Sequence, residues 1–350
     1  MIYICPRASN CLLKIVKQLE KFERVTIYFP ANICYTFPLS VIYSEAKIKF
    51  YDIDFETLYP DFKTVEKDDN FLIFVCVIPY GDWDKEEVEK IREKIRMFWQ
   101  DKVFILWDCA LTFPTYEVLD YVLVNIKESE GFVFSFSYAK PLELGFGAAL
   151  FTKMKIEHKF PFCISKDESS FLVNRVDKIF KTYLNLQKVS LKNQSFLCYN
   201  SELHKNDINY IDKIVEKILN KEDFEVTLRN GQKLTFFEIM EKKKANNKYF
   251  RENIGLSTKS KIKILSKSDL CWRFNIRVDE GVRDRIIERI FLNGAFASRL
   301  FPNLTRYLKT SSKFPNTSKH WKHVINIFNN QNEDYNKKII KSIEEMKEIL

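Results

Sequence analysis

Along the first 150 residues, short apolar runs alternate with stretches of helical periodicity. VTIYFP, KIKFYDI, FLIFVCVI and VFILWD are β-branched, aromatic and nearly free of polar positions, the pattern of strands covered on both faces. Between the last two, DKEEVEKIREKIRMFWQ sets Val88, Ile91, Ile95 and Phe98 on one face and charges on the other, which predicts an amphipathic helix. Strand, helix, strand at this spacing is a βαβ unit and predicts a mainly parallel α/β sheet. Ligands of such sheets bind beyond the carboxyl ends of the strands, so the residues that close the strands matter most.

From about 165 to 225 the pattern turns polar, rich in Lys and Asn, and predicts helices over SFLVNRVDKIFKTYLNL and INYIDKIVEKILNK. RNGQKL predicts a turn through Asn230-Gly231, followed by a helix TFFEIMEKKKANNKYFREN. The strand CWRFNIRV, the helix VRDRIIERIFLNG and a last helix from about Tyr335 to Leu350 predict an α+β segment. No internal repeat and no Gly/Ser linker is seen, so the two parts are expected to pack together. The expected division is a large domain over 1–235 and a smaller C-terminal one over 236–350.

A chain of 350 residues, 46% apolar, can bury a large core. The longest clean apolar run, FLIFVCVI, falls well short of the ~20 residues a membrane helix needs. The opening MIYIC, soon followed by Arg7, is too short for a signal peptide. Eight cysteines at 5, 11, 34, 76, 109, 163, 198 and 271 form no CxxC pair, which predicts free, mostly buried thiols and a cytoplasmic location. His320 and His323 in HWKH have no third ligand nearby, so no metal is expected. A net charge of +9 favours anionic partners, yet 56 basic residues are spread among 47 acids. That balance favours a solvated surface first, a phosphorylated small molecule next and nucleic acid last; neither nucleic acid nor membrane is expected as a partner.

Three features sit where strand ends should meet. Asp108 closes VFILWD; taken alone, such a carboxylate serves at least as often as a cap or loop anchor. Ser135 and Ser137, two residues apart, share a face if one strand runs through both. Lys140 follows in a loop, where a lone lysine is usually solvated, before the glycines Gly145 and Gly147.

The ordered series WDCA, FSFSYAK and LGFGAAL resembles the DegT-type sugar aminotransferases, a branch of the fold-type I enzymes that use pyridoxal 5'-phosphate (PLP). RASNCLLKIVKQL resembles their first helix, whose start cradles the cofactor phosphate. VIPYGDWDKEEVEKI is similar to their strand, Tyr-Gly turn and helix, and CWRFNIRVDEGVRDRIIERIFLNGAFAS to part of their small domain. The resemblance implies a mixed seven-stranded sheet with a small α+β domain. It implies that Lys140 holds PLP as a Schiff base, that Asp108 pairs with the pyridine nitrogen, and that Ser135, Ala8 and Ser9 bind the phosphate. It places Asn32 where a ring-stacking aromatic usually stands, with Tyr35 as a substitute, and Asn200 of CYNSEL where an Asn reaches the neighbouring subunit's phosphate. Leu111 stands where members carry Gln or His against the ring oxygen, and the family's N-terminal arm has no counterpart.

A helix start offers N–H donors to a phosphate, and an apolar loop favours the neutral lysine that attack on a carbonyl requires. The implied activity is transfer of an amino group from an amino acid, glutamate being expected, to a keto group of a nucleotide-linked sugar or other phosphorylated ketone. Surface-glycan or secondary-metabolite biosynthesis is the implied setting, and a cytoplasmic homodimer with shared sites the implied assembly. Two alternatives stay open: a PLP-dependent decarboxylase or lyase, motivated by Leu111 and Asn32, and a non-catalytic relative that binds a sugar nucleotide or a protein.

Overall fold

The computed structural model describes residues 1–41, 44–137, 139–157, 205–228, 231–257, 261–305, 314–329 and 332–346. The helix expected over SFLVNRVDKIFKTYLNL, Asn200 and the Asn230 of the expected turn lie outside these.

All four apolar runs form strands. With the edge strand β1 (Ile2–Cys5), which the sequence reading did not anticipate, they are β2 (Val25–Pro30), β3 (Lys47–Tyr51), β4 (Phe71–Val77) and β5 (Val103–Asp108). β6 (Glu130–Ser135) and β7 (Ala148–Thr152) complete a seven-stranded sheet of order β1-β7-β6-β5-β4-β2-β3. β7 runs antiparallel to β1 and β6, and every other pair in the sheet is parallel. The sheet is mixed and mainly parallel, as expected.

Side chains of one strand alternate between two apolar layers. Phe74, Trp107 and Phe132 face one layer, covered by α3 (Lys85–Trp99), α4 (Tyr116–Asn125) and α5 (Lys205–Leu219). Ile73, Val75 and Leu106 face the other, under α1 (Ala8–Leu19) and α2 (Thr36–Ser40). In α3 the Asp84 carboxylate accepts from the N–H groups of Glu86 and Glu87, satisfying the free helix start. The buried stripe is Val88, Ile91, Ile95 and Trp99. Phe98, expected among them, is 45% exposed and stacks on Phe62, because the adjacent indole fills the inner position.

A hairpin of β8 (Glu225–Thr227) and β9 (Lys233–Thr235) leads into α6 (Phe236–Ser257). A second, antiparallel sheet of order β10-β11-β13-β12 follows, from β10 (Lys263–Ile264), β11 (Phe274–Arg277), β12 (Ala297–Ser298) and β13 (Val324–Ile327). Its core takes Phe250 and Ile254 from α6, Ile286 and Ile290 from α7 (Glu280–Leu292), and Ile339 and Ile343 from α9 (Glu333–Glu344).

The two sheets are bolted together by named contacts. The fully buried Asp52 carboxylate accepts from the N–H groups of Asn316 and Thr317 at 2.8 and 2.7 Å, in the first turn of α8 (Pro315–His323). Leu304 N–H donates to the Ala31 carbonyl at 2.8 Å, and Trp272 N–H to the Tyr80 carbonyl at 3.0 Å. His320 hydrogen-bonds the Tyr80 hydroxyl at 2.8 Å and His323 the Val278 carbonyl at 2.7 Å, which gives both histidines of HWKH packing roles.

The Tyr80-Gly81 turn is the tightest joint. Gly81 has φ +74°, and a Cβ there would sit 1.7 Å from the Leu111 carbonyl oxygen. Neither the backbone angle nor the space admits a side chain. Gly81→Ala is expected to lower stability by more than about 2 kcal/mol in denaturant unfolding; an unchanged midpoint would contradict this packing.

Candidate active site

Register decides which residues meet. Val77 pairs with Asp108 across β4 and β5, and Asp108 with Val133 across β5 and β6, so Ser135 emerges two residues beyond on the same edge. β1 delivers α1 to that edge, fixed by Gly147 N–H donating to the Pro6 carbonyl at 3.0 Å. Gly147 has φ +92°, and a Cβ would come within 2.5 Å of Ile211 in α5, so only glycine lets the chain pass there.

The result is a cavity of about 190 Å³ that collects Ala8, Ser9, Asn32, Asp108, Ser135 and Lys140 from five separate segments. Leu111 lines it too, backed by the Gly81 turn. Tyr35 is half-buried but is not among the lining residues; burial raises its phenol pKa, and the Arg7 charge works against that. Asn200 lies outside the described residues.

Asp108 is 6% exposed. One carboxylate oxygen accepts from Ala110 N–H at 3.0 Å, and the other has no donor among the described residues. Burial pushes its pKa up, opposed chiefly by the Lys140 ammonium. A buried carboxylate with an open acceptor calls for a cationic N–H, and a protonated pyridine nitrogen is one.

The opposite charge gathers at α1. The helix has no acidic residue in its first turn, and the N–H groups of Ala8 and Ser9 find no acceptor among the described residues. Its positive dipole end, about half a charge, therefore faces the cavity uncompensated. The Ser135 and Ser137 hydroxyls lie 3.0 Å apart beside it, and Arg7 adds a full positive charge. An anion fits this end and a ring N–H the Asp108 end, so the residues present fit PLP.

Lys140 is half-buried, less desolvated than an apolar loop led us to expect, although Pro141 and Leu142 after it are buried. Ala139 before it takes a left-handed φ of +57°, uncommon for a residue with a side chain. The Ala139 carbonyl accepts from the Trp272 indole N–H at 2.5 Å.

Of the lining residues that the sequence did not point to, Arg7 and Phe301 matter most for the site. Arg7 carried a signal, a cation opening a helix with no acid in its first turn. Phe301 enters from the small-sheet region and had none, since no periodicity connects it to β5.

No protein-family model matches the sequence, and no curated protein does. Solved structures do. NtdA of Bacillus subtilis with bound cofactor PMP superposes with a TM-score of 0.63 at 12% identity, over 99% of this chain and 73% of that one. The sugar aminotransferase CalS13 of Micromonospora echinospora gives 0.61 at 12%, over 98% and 87%. A DegT DnrJ EryC1 StrS aminotransferase of Brucella abortus gives 0.58 at 13%, over 99% and 85%. At these identities the likeness establishes the fold alone, the one that these three solved structures share.

A carboxyl whose pKa is raised on folding binds more protons in the folded state, so its charge costs stability above that pKa and the cost fades as pH falls through it. Asp108→Asn should therefore raise the thermal midpoint of the cofactor-free protein at neutral pH, with the gain shrinking on acidification. A lower midpoint at neutral pH would contradict this electrostatic picture.

Proposed function

We propose that the protein is a PLP-dependent aminotransferase. The observation that carries the reading is Asp108 and Lys140 in one cavity whose other side is an uncompensated helix start with two serine hydroxyls. The solved aminotransferases of the same fold support it. Residues 1–235 serve as the cofactor domain and 236–350 as the small domain.

Ala8 and Ser9 N–H groups, the Ser135 hydroxyl and the Arg7 charge would hold the phosphate, and Asp108 would keep the ring nitrogen protonated. When bound, PLP supplies an electron sink for bond cleavage at a substrate Cα. Lys140 Nζ then takes the Cα proton and returns it, with the Asp108 carboxylate as its nearby charge partner. Asn32 would border the ring, Tyr35 would be the substitute for a stacking aromatic, and Asn200 would serve the neighbouring subunit's phosphate site in a homodimer. The amino donor is an amino acid, glutamate first, and the acceptor a keto group on a nucleotide-linked sugar or another phosphorylated ketone, in surface-glycan or secondary-metabolite biosynthesis. The reaction takes place in the cytoplasm.

One observation favours a second reading. Leu111 is buried and presents an apolar side chain where it lines the cavity, so it donates no hydrogen bond to the ring oxygen. That change of ring environment suits decarboxylation or elimination on the same cofactor.

Purified protein should develop a visible absorption band with PLP, and glutamate should convert it to pyridoxamine phosphate with one 2-oxoglutarate per site. Lys140→Ala should slow that conversion by about 10³-fold, within the range of a lost general base. A variant as fast as the wild type would sink the assignment. A visible band with carbon dioxide or an elimination product released, in place of 2-oxoglutarate, selects the second reading.

A further inference from the structure

The Lys140 loop is held from 133 residues away in sequence. Trp272 lies just before β11, is 5% exposed, and reaches back so that its indole N–H meets the Ala139 carbonyl at 2.5 Å. The same side chain packs with Tyr80 and Leu111 and stacks on Phe301, ring centroids 6.1 Å apart. Leu111 and Phe301 line the cavity, so one indole touches two parts of its wall as well as the backbone next to Lys140.

Trp272 is itself fixed on every side. Its N–H donates to the Tyr80 carbonyl at 3.0 Å. The Arg273 guanidinium lies 3.9 Å over its ring. Its carbonyl accepts from Lys243 Nζ at 3.1 Å. Lys243, in α6, is 4% exposed and uses its remaining donors on the Asn329 side-chain oxygen at 2.9 Å and the Cys271 carbonyl at 3.4 Å. Three donors meet three neutral acceptors, and among the described residues no carboxylate bonds the ammonium. Burial draws the Lys243 pKa down to about 8. A charge kept in such a place must be held by the carbonyls it fixes, and Asn329 is held in turn by Asn247 at 2.8 Å.

We infer that Trp272 is a positioning residue for Lys140: its indole N–H holds the left-handed Ala139 peptide that aims the lysine, and the buried Lys243 ammonium holds Trp272. This rests on Lys140 being the amine of the site. Its effect is nonetheless a property of the protein without cofactor, since a loop released from the indole exposes the half-buried Lys140 amine to an acylating reagent.

The test is competitive acetylation of the cofactor-free protein across a pH series, read lysine by lysine by peptide mass spectrometry, with the exposed Lys90 and Lys337 as references. The variants are Trp272→Phe, replacement of Trp272 by benzothienylalanine, which keeps the ring shape and lacks the N–H, and Lys243→Met. Each is expected to raise the rate of Lys140 alone about fivefold relative to the references, the size of one net hydrogen bond. Hydrogen exchange of residues 136–144 should rise in parallel. Unchanged Lys140 rates and unchanged exchange of residues 136–144 in the benzothienylalanine protein, which disturbs packing least, would overturn the inference. So would acceleration of all lysines alike, the mark of general loosening. Failure of the wild type to bind PLP, with Lys140 still responding to the variants, would remove the aminotransferase reading and leave the positioning role intact.

Discussion

A carboxylate buried at the end of a central parallel strand sets the terms for the rest of the molecule. Asp108 has one oxygen tied to its own chain and one left open to a cavity, with its charge disfavoured by burial. A fold keeps such a group when something cationic comes to meet it. The strands that carry it there are covered by apolar layers on both faces, so the sheet cannot shift its register without exposing one layer or the other. Register, in turn, fixes Val77, Asp108 and Ser135 on one edge.

Around that edge the molecule relies on close backbone approaches more than on many polar side chains. Gly81 seats the Tyr-Gly turn on the Leu111 carbonyl, and Gly147 lets the chain pass between α5 and the start of α1. The small sheet then closes the site from the side. Asp52 bolts α8 to the large sheet, and Trp272 links Tyr80 with the loop of Lys140. The electropositive end needs no such apparatus, because a helix start without acids already presents its N–H groups and dipole.

Much of this was legible in the sequence. Strand-length apolar runs gave β2 to β5, and the amphipathic face gave α3, with Phe98 and Trp99 exchanged because adjacent large rings compete for one inward position. The spacing of Asp108, Ser135 and Lys140 pointed to one edge, since parallel strands present their carboxyl ends together. What could not be read depended on contacts between distant segments. Trp272 and Phe301 reach the site through the packing of one sheet on another, and Tyr35, three residues after Asn32, is not among the residues that line the cavity. β1 is four residues long and owes its strand form to pairing with β7, a context that four residues cannot encode alone.

The most direct measurement is reduction of PLP-loaded protein with borohydride, followed by peptide mapping. One pyridoxyl adduct per chain, on Lys140, is expected. An adduct on another lysine, or none on a protein that holds the cofactor, would contradict the assignment of Lys140.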